Sequence, residues 1–450
     1  MPFSFNNDSK TNADKLDFLD HYRIDWYLSD LDDKIGRQLD AILHHPAFQA
    51  LESIWRGLQF LVDRTDFRRN VRIEVLDVSK DALHRDFEDT PEIVQSGLFR
   101  LTYVGEYDMP GGEPIAAIIS AFEFDHRAQD IALLRNISKV AAAAHMPFIG
   151  AVSPAFFDKP SMEAVAGMRD PAIWFERAEY LKWNSFRQTE DARYVGLTLP
   201  RFLARLPYGP DTLAVRTFNY IENVREPGHA AYLWTSAAFA FAVNLVRSFV
   251  RNGWCLQIRG PRAGGRLDDL PVHEYDLGTG QAGKISTDAL ISETREHDFA
   301  DLGLIPLSYT SNHDHACFFS AHSTQKPRAY DARDASANSR INARLPYIFL
   351  LSRLAHYLKL IQRENIGTTR DRRLLEIELN TWIKSLVTEM TAPDDDLQAA
   401  HPLREARVTV EDINDNPGLF RISLFIVPHF QIEGIDIGLS LVSQMPRAKQ

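Results

Sequence analysis

The sequence predicts an α/β (α+β) chain: a mixed sheet with packed helices, followed by a C-terminal region of strands. Three observations carry that expectation. Apolar residues recur at three- and four-residue intervals from Leu39 to Val62, as on one face of a helix. The segment from Ile115 to Val152 reads strand, helix, strand, which implies parallel neighbours joined by a crossover helix. From Leu403 onward the pattern becomes period-two alternation, as in half-buried strands.

Taken in order, Pro46 interrupts the first stripe, so two helices joined by a bend are expected. In VRIEVLDVS, Val71, Ile73 and Val75 alternate with mostly polar residues as in a strand. Within the crossover unit, IAAIISAFEF and PFIGAV are the buried strands, and Ala128 to His145 is the helix. The first strand runs into Glu123, Phe124, Asp125 and His126 without a glycine to admit a pyrophosphate, so the unit reads as architectural. The longest apolar run, Ala230 to Val246, is interrupted by Thr235, Ser236 and Asn244. A membrane span wants ~20 apolar residues without such interruptions, so a helix buried on nearly all sides fits better. Tyr347 to Ile361 and Arg370 to Met390 read as amphipathic helices. EARVTVEDI, the turn cluster Asn414 to Gly418 and FRISLFIV form a hairpin signal, and a last extended run covers Ile432 to Val442.

The composition narrows the function. A length of 450 residues suggests about three domains, or two large ones. With 45% hydrophobic and 25% charged residues the chain is an ordinary folded one. Fifty Lys+Arg against 61 Asp+Glu give a formal charge of -11, which offers no long-range attraction to nucleic acid or anionic lipid. Cys255 and Cys317 are the only cysteines, so zinc-finger, iron–sulfur and disulfide frameworks are excluded by counting. No N-terminal secretory signal is visible.

Motifs for chemistry are weak. Gly278-Thr279-Gly280-Gln281-Ala282-Gly283-Lys284 has the spacing of a phosphate loop, but Ile285 stands where a magnesium-binding Ser or Thr belongs. A nucleotide site at Gly278 to Lys284 is therefore only a minor alternative to a surface loop. His313, His315 and His322, with Asp314 and Cys317, are the best metal candidates. The run between His315 and His322 reads as a strand, whose alternation keeps the imidazoles from converging. The stretch from Lys326 to Lys384 is basic, yet Tyr347 and Tyr357 share a helical stripe with Leu350, Leu354 and Leu358, which favours core packing over a nucleic-acid surface. No catalytic residue, cofactor site or metal site is assigned, and no enzyme is expected.

Several long segments, taken together, resemble one family. They are LDAILHHPAFQALESIWRGLQFLV from Leu39, AHMPFIGAVSPAFF from Ala144, NGWCLQIRGPRAGG from Asn252, and STQKPRAYDARDASANSRINARLPYIFLLSRLAHYLK from Ser323. PLREARVTVEDINDNPGLFRISLFIVPHFQIEGIDIGLSLVS, from Pro402, completes the series. The chain is similar to the large sheath subunit of type VI secretion systems, the TssC/VipB family. The resemblance implies a bacterial cytoplasmic structural protein. It implies pairing with a small subunit of the TssB/VipA family and self-assembly into a contractile helical sheath around a tube of Hcp rings on a baseplate. It also implies C-terminal strands that join an intermolecular sheet. Val408, Val410, Ile422, Leu424 and Ile426 are the residues expected at that partner-strand interface. The expected division is a leader and helical arm over 1–38, an α/β sheath domain over 39–325, and a strand-bearing domain over 326–446. The lead before Leu39 is shorter than the family usually carries. That puts recycling by the ATPase ClpV in question and leaves a second reading, a non-polymerising or end-specific paralogue.

Overall fold

The computed structural model describes residues 8–109, 111–225, 228–276, 282–309, 315–365, 372–388, 390, 395–412, 419–429 and 439–446. The chain divides into two units, each discontinuous in sequence. One takes 1–56, 203–235 and 271–286; the other takes 57–202, 236–270 and 287–450. The expected 325/326 boundary lies inside the second.

The first unit opens with helix α1 (Asp8–Leu43), which runs unbroken through the expected 38/39 boundary. The bend expected at Pro46 is present: α2 (Pro46–Asp63) starts on that proline, where a missing N–H breaks no helical bond. Segment 203–235 is tied to both helices. Tyr220 Oη and the Asn223 N–H donate to Asp40 Oδ1 at 2.7 and 3.3 Å, and Ser53 Oγ donates to the Trp234 carbonyl at 2.7 Å. Leu203, Tyr232 and Trp234 form a small core here. A hairpin of His273–Asp276 and Ala282–Ile285 belongs to the same unit.

The second unit is built on the crossover read from the sequence. Strand β1 (Ile118–Phe124), helix α3 (Ala128–Ala144) and strand β2 (Phe148–Val152) are followed by β3 (Val195–Leu199) and, across helix α4 (Ala237–Asn252), by β4 (Ile305–Pro306). All four strands are parallel, in the order β1-β2-β3-β4, with Ile149 opposite Gly196 and Thr198 opposite Ile305. β2 and β3 are buried at every residue, as a sheet covered on both faces requires. Phe148 and Val152 pack with Ile131, Leu134 and Ile137 of α3, whereas Ile149 packs with Phe241 and Val243 of α4. Gly196 is forced by this crowding: a Cβ there would lie 2.8 to 2.9 Å from Leu345, Ile149 and Ile305. α4 takes only the later part of the expected run, from Ala237, and is buried on nearly all sides there; Ala230 to Thr235 instead ends a 3-10 turn and enters the short strand Trp234–Thr235. Ser236 Oγ caps α4 by accepting from the Ala238 N–H, and Gly253 ends it at φ 77°.

Two expected strands differ. Val71 to Ser79 forms no strand and pairs with none among the described residues, and Val75 is 67% exposed. Its alternation permits an extended chain; only a neighbour makes a strand. The strand expected between His315 and His322 shrinks to Ala316–Cys317.

Helix α5 (Leu345–Asn365) closes the end of α3. α3 stops at His145, which sits in the left-handed region at φ 51°. Lys359 Nζ and Tyr107 Oη donate to the Ala143 and Ala144 carbonyls at 3.3 and 2.7 Å, and His356 Nε2 lies 3.2 Å from the latter. Cationic and hydroxyl donors at a helix C-terminus satisfy orphan carbonyls and the negative end of the dipole. Three histidines, His356 buried and His145 and His322 partly buried, stay neutral as a result of their surroundings. Burial, then the Lys359 charge, lowers His145 to about 3; burial, against the bond to Ala144, lowers His356 to about 4. Burial, then Arg344, lowers His322 to about 3.

A pH dependence follows. The unfolded chain protonates these histidines below a pH of about 6.5 while the folded chain does not, so stability is full above that value and falls as pH drops towards 4. Each histidine contributes up to about 1.4 kcal/mol per pH unit in that window. Glu123 and Glu296, raised by burial, take up protons in the folded chain and offset part of the loss. Urea unfolding from pH 7 to 4.5 should show the decline, and His356→Gln should reduce its slope by about a third. A flat profile in the native chain would show that these imidazoles are solvated.

Candidate assembly interface

After α5 and helix α6 (Arg372–Lys384) come strands β5 (Leu403–Asp412), β6 (Leu419–Pro428) and β7 (Leu439–Pro446). They form one antiparallel sheet in that order, with Val408 opposite Leu424 and Val410 opposite Ile422. The third strand covers 439–446, C-terminal to the centre of the expected run; the turn between β5 and β6 lies outside the described residues.

All five predicted interface residues sit on one face, because period two aligns Val408 and Val410 on β5 with Ile422, Leu424 and Ile426 on β6. None is more than 2% exposed; they pack with Leu375, Leu379 and Ile383 of α6 and with Leu354 of α5. Their side chains hold the sheet to its own helices. What the sheet offers a neighbour is backbone at its edges.

The two edges differ. Asn380 of α6 donates Nδ2 to the Val408 carbonyl at 2.8 Å and accepts from the Val408 N–H through Oδ1 at 3.0 Å. That carboxamide makes the two bonds an added strand would make. Arg372 donates to the Val410 carbonyl at 3.5 Å, and Leu403 exchanges bonds with Leu386 and Thr388. The outer edge of β5 is thus occupied by its own chain at Leu403, Val408 and Val410. Because Val408 points away from β6, the antiparallel pattern turns Leu424 towards Leu441 of β7 and leaves Ser440, Val442 and Gln444 pointing outward. Among the described residues no strand pairs with that side of β7. Asn380 was missed in the sequence, where it reads as one polar residue in LLEIELNTWIK. The available signal was its place beside the stripe Leu375, Leu379, Ile383.

The other candidates do not assemble. His313 and Asp314 lie outside the described residues. His322 Nδ1 lies 2.6 Å from the Ala300 carbonyl, and burial, then Glu296, pushes the Cys317 thiol up to about 12. Among the described residues no group of three His, Cys, Asp or Glu side chains is placed to hold a metal. Lys284 lies in the hairpin strand Ala282–Ile285, opposite Glu274, rather than at the start of a helix as a phosphate loop demands. At the carboxyl ends of the parallel strands, charges pair with one another: Arg201 Nε with Asp288 at 2.7 Å, and Lys80 Nζ with Asp130 at 2.6 Å. Among the described residues the order of these strands does not reverse, so the sheet shows no topological switch point of the kind at which such sheets often bind ligands.

The first unit also holds a buried cluster of charges. Arg205 donates Nε to Glu52 at 2.8 Å and Nη1 to Glu222 at 2.7 Å, and the Tyr208 N–H donates to Glu222 at 2.9 Å. The Arg205 and Glu222 side chains are 5% and 2% exposed. Burial acts to lower the guanidinium pKa, but the bonds and charges of Glu222 and Glu52 together raise it. Arg205 joins α2 to segment 203–235, which makes the cluster a structural joint.

Comparison with known proteins gives the class. Residues 25–325 match the family described as EvpB/VC_A0108, tail sheath N-terminal domain, and residues 334–445 match EvpB/VC_A0108, tail sheath gpW/gp25-like domain. This is a tail-sheath protein, a structural subunit of a contractile polymer. The chain is 40% identical over 431 residues to the type VI secretion system sheath protein TssC1 of Pseudomonas aeruginosa, covering 95% of this chain and 86% of that protein. It belongs to the VipB/TssC family of type VI secretion sheath proteins. Two solved structures are distant likenesses. The sheath tail protein of Desulfitobacterium hafniense is 12% identical, with 73% of this chain and 57% of that chain covered and a TM-score of 0.34. The anti-feeding prophage baseplate structure is 10% identical, with coverages of 85% and 80% and a TM-score of 0.36. Among the described residues no helix is long and apolar enough to cross a membrane.

Proposed function

We propose that this chain pairs with a small sheath subunit of the TssB/VipA family, and that the pairs polymerise in the bacterial cytoplasm around a tube of Hcp rings seated on a baseplate. Contraction then propels the tube and its spike. The work comes from the metastable extended polymer and asks no catalysis of this chain. The 325/326 division separates a sheath-wall domain from a linking domain in this reading. The observation that carries it is the C-terminal sheet, with β5 closed by Asn380 and β7 turning three residues' backbone outward. A strand from a neighbouring subunit adds to β7 through main-chain bonds, the usual way an extended segment extends a sheet. Val408, Val410, Ile422, Leu424 and Ile426 serve this interface from behind, by fixing the accepting sheet on α5 and α6. Co-expression with the small subunit, followed by electron microscopy, should give tubules. A soluble heterodimer with no tubules at any concentration would instead make this an end-specific paralogue.

A further inference from the structure

We propose that the arginine-bearing loop 259–266 of one copy docks on an acidic segment, 86–92, of a second copy of this chain; the pairing rests on the polymerising reading above. Residues 244–270 carry five arginines and two aspartates, with no lysine or glutamate, in a chain of formal charge -11. Copies of an acidic chain repel one another on average, so a local cationic patch is where attraction between them is placed.

The loop is fixed by its own backbone. The Gly260 N–H donates to the Phe318 carbonyl at 2.7 Å, the Phe318 N–H to the Gly265 carbonyl at 2.9 Å, and the Gly265 N–H to the Gly260 carbonyl at 2.9 Å. Gly264 stands at φ 83°, and a Cβ there would collide with the Gln257 carbonyl. Pro261 and Arg262 are held at the exposed tip. A preformed loop loses little freedom on binding. An exposed tip encloses nothing, so its occupant is another surface rather than a small molecule.

Two more guanidiniums stand on fixed supports beside it. Arg64 lies 3.8 Å over the Phe60 ring and donates to the Asp269 carbonyl at 2.9 Å, and Arg247 donates to the Arg266 carbonyl at 2.9 Å. Each spends an N–H on a backbone carbonyl. Burial lowers the Arg64 pKa, Asp269 raises it, and the nearby Arg247 charge lowers it again. The acids here are Asp63, Asp268 and Asp269, and Asp268 is held by Arg266 at 2.5 Å. The cationic surplus calls for carboxylates, which a guanidinium takes in a two-bond fork.

The complement lies on the same unit of a second copy. Asp86, Glu88, Asp89 and Glu92 place four acids in seven residues without a cation, and no other seven-residue window of the chain holds four. Asp86 accepts from the Gly97 and Leu98 N–H groups at 2.8 and 3.2 Å, which pins the segment and leaves Glu88, Asp89 and Glu92 exposed. The cations beside it are occupied elsewhere: Arg85 donates to the Asp81 carbonyl at 3.4 Å, and His84 Nδ1 lies 3.2 Å from Glu88 alone. The contact uses different surfaces on the two copies. Such a heterologous contact repeats without closing and suits a helical polymer.

The test uses the full chain co-expressed with the small subunit. Arg262→Glu with Arg266→Glu should lose sedimentable sheath while the heterodimer keeps its yield and melting temperature. Adding Asp89→Arg with Glu92→Arg should restore the sheath. Ala263→Cys with Pro91→Cys leaves every charge in place and should, on oxidation of assembled sheath, give a ladder of this chain linked to itself. Sheath at the wild-type level from the arginine variant, sheath without the ladder, a cross-link from position 263 to the small subunit, or failure of the charge swap to restore assembly would each overturn the pairing. Loss of the heterodimer in the arginine variant would overturn it too, since the patch would then hold the small subunit. If the wild-type pair forms no sheath, the polymerising reading falls and this pairing falls with it.

Discussion

Val442→Pro is expected to abolish sheath tubules while leaving the heterodimer folded and abundant. Val442 lies opposite Ser423, a position whose backbone turns away from β6. Proline there removes an N–H that an incoming strand needs and breaks no bond inside the chain, which is where sheets tolerate proline. Leu424→Pro is the contrasting variant. Leu424 is 1% exposed and its N–H is turned towards β7, so proline removes an internal ladder bond and a core side chain at once, for about 3 kcal/mol or more. Val410→Pro likewise removes a buried side chain, 2% exposed, from the core under the sheet. Sedimentation, negative-stain microscopy and melting temperature separate the cases. Val442→Pro should lose tubules at an unchanged melting temperature, whereas Leu424→Pro should lose both. Normal tubules from Val442→Pro would show that β7 is not the accepting edge.

The second large effect is on folding. Arg205→Met should destabilise the chain by about 3 kcal/mol, because it removes the cation that Glu52 and Glu222 share, leaving the buried Glu222 with only His44 Nε2 at 3.2 Å and the Tyr208 N–H, while Glu52 keeps Arg56 at 3.3 Å. That is a large part of the ~5–15 kcal/mol by which folded chains are usually stable. Adding Glu222→Gln should recover part of the loss, since the more deeply buried carboxylate, 2% exposed, is then neutral. Urea denaturation measures both. An Arg205→Met chain within about 1 kcal/mol of wild type would mean that water already reaches these groups.

The parts of this fold that were legible in the sequence are those in which one chain segment determines its own environment. The β1-α3-β2 unit was readable because PFIGAV is apolar at every position and a parallel crossover needs a helix of that length. α4 was readable because AAFAFAV has no polar face to show to solvent. The hairpin of β5 and β6 was readable from alternation alone, including which five side chains share a face. What they face was not, because alternation is the same whether the buried side meets helices of the same chain or strands of another. Val71 to Ser79 fails for the same reason: alternation describes the segment and says nothing of a neighbour. Asn380 was hidden because its role depends on a strand 28 residues further on. Arg205 and Glu52 are 153 residues apart, and no local pattern announces such a pair.

The carboxamide of Asn380 also has a kinetic meaning. A three-stranded sheet with two bare margins would be sticky in two directions, and subunits waiting in the cell would find one another by the wrong side as readily as by the right one. Here one margin is sealed during folding, before any neighbour arrives. In the proposed assembly the sheet would then accept a strand on one side only, which gives that contact a polarity. A lattice laid down from such parts grows along a vector, which is what a machine that must fire from one end requires.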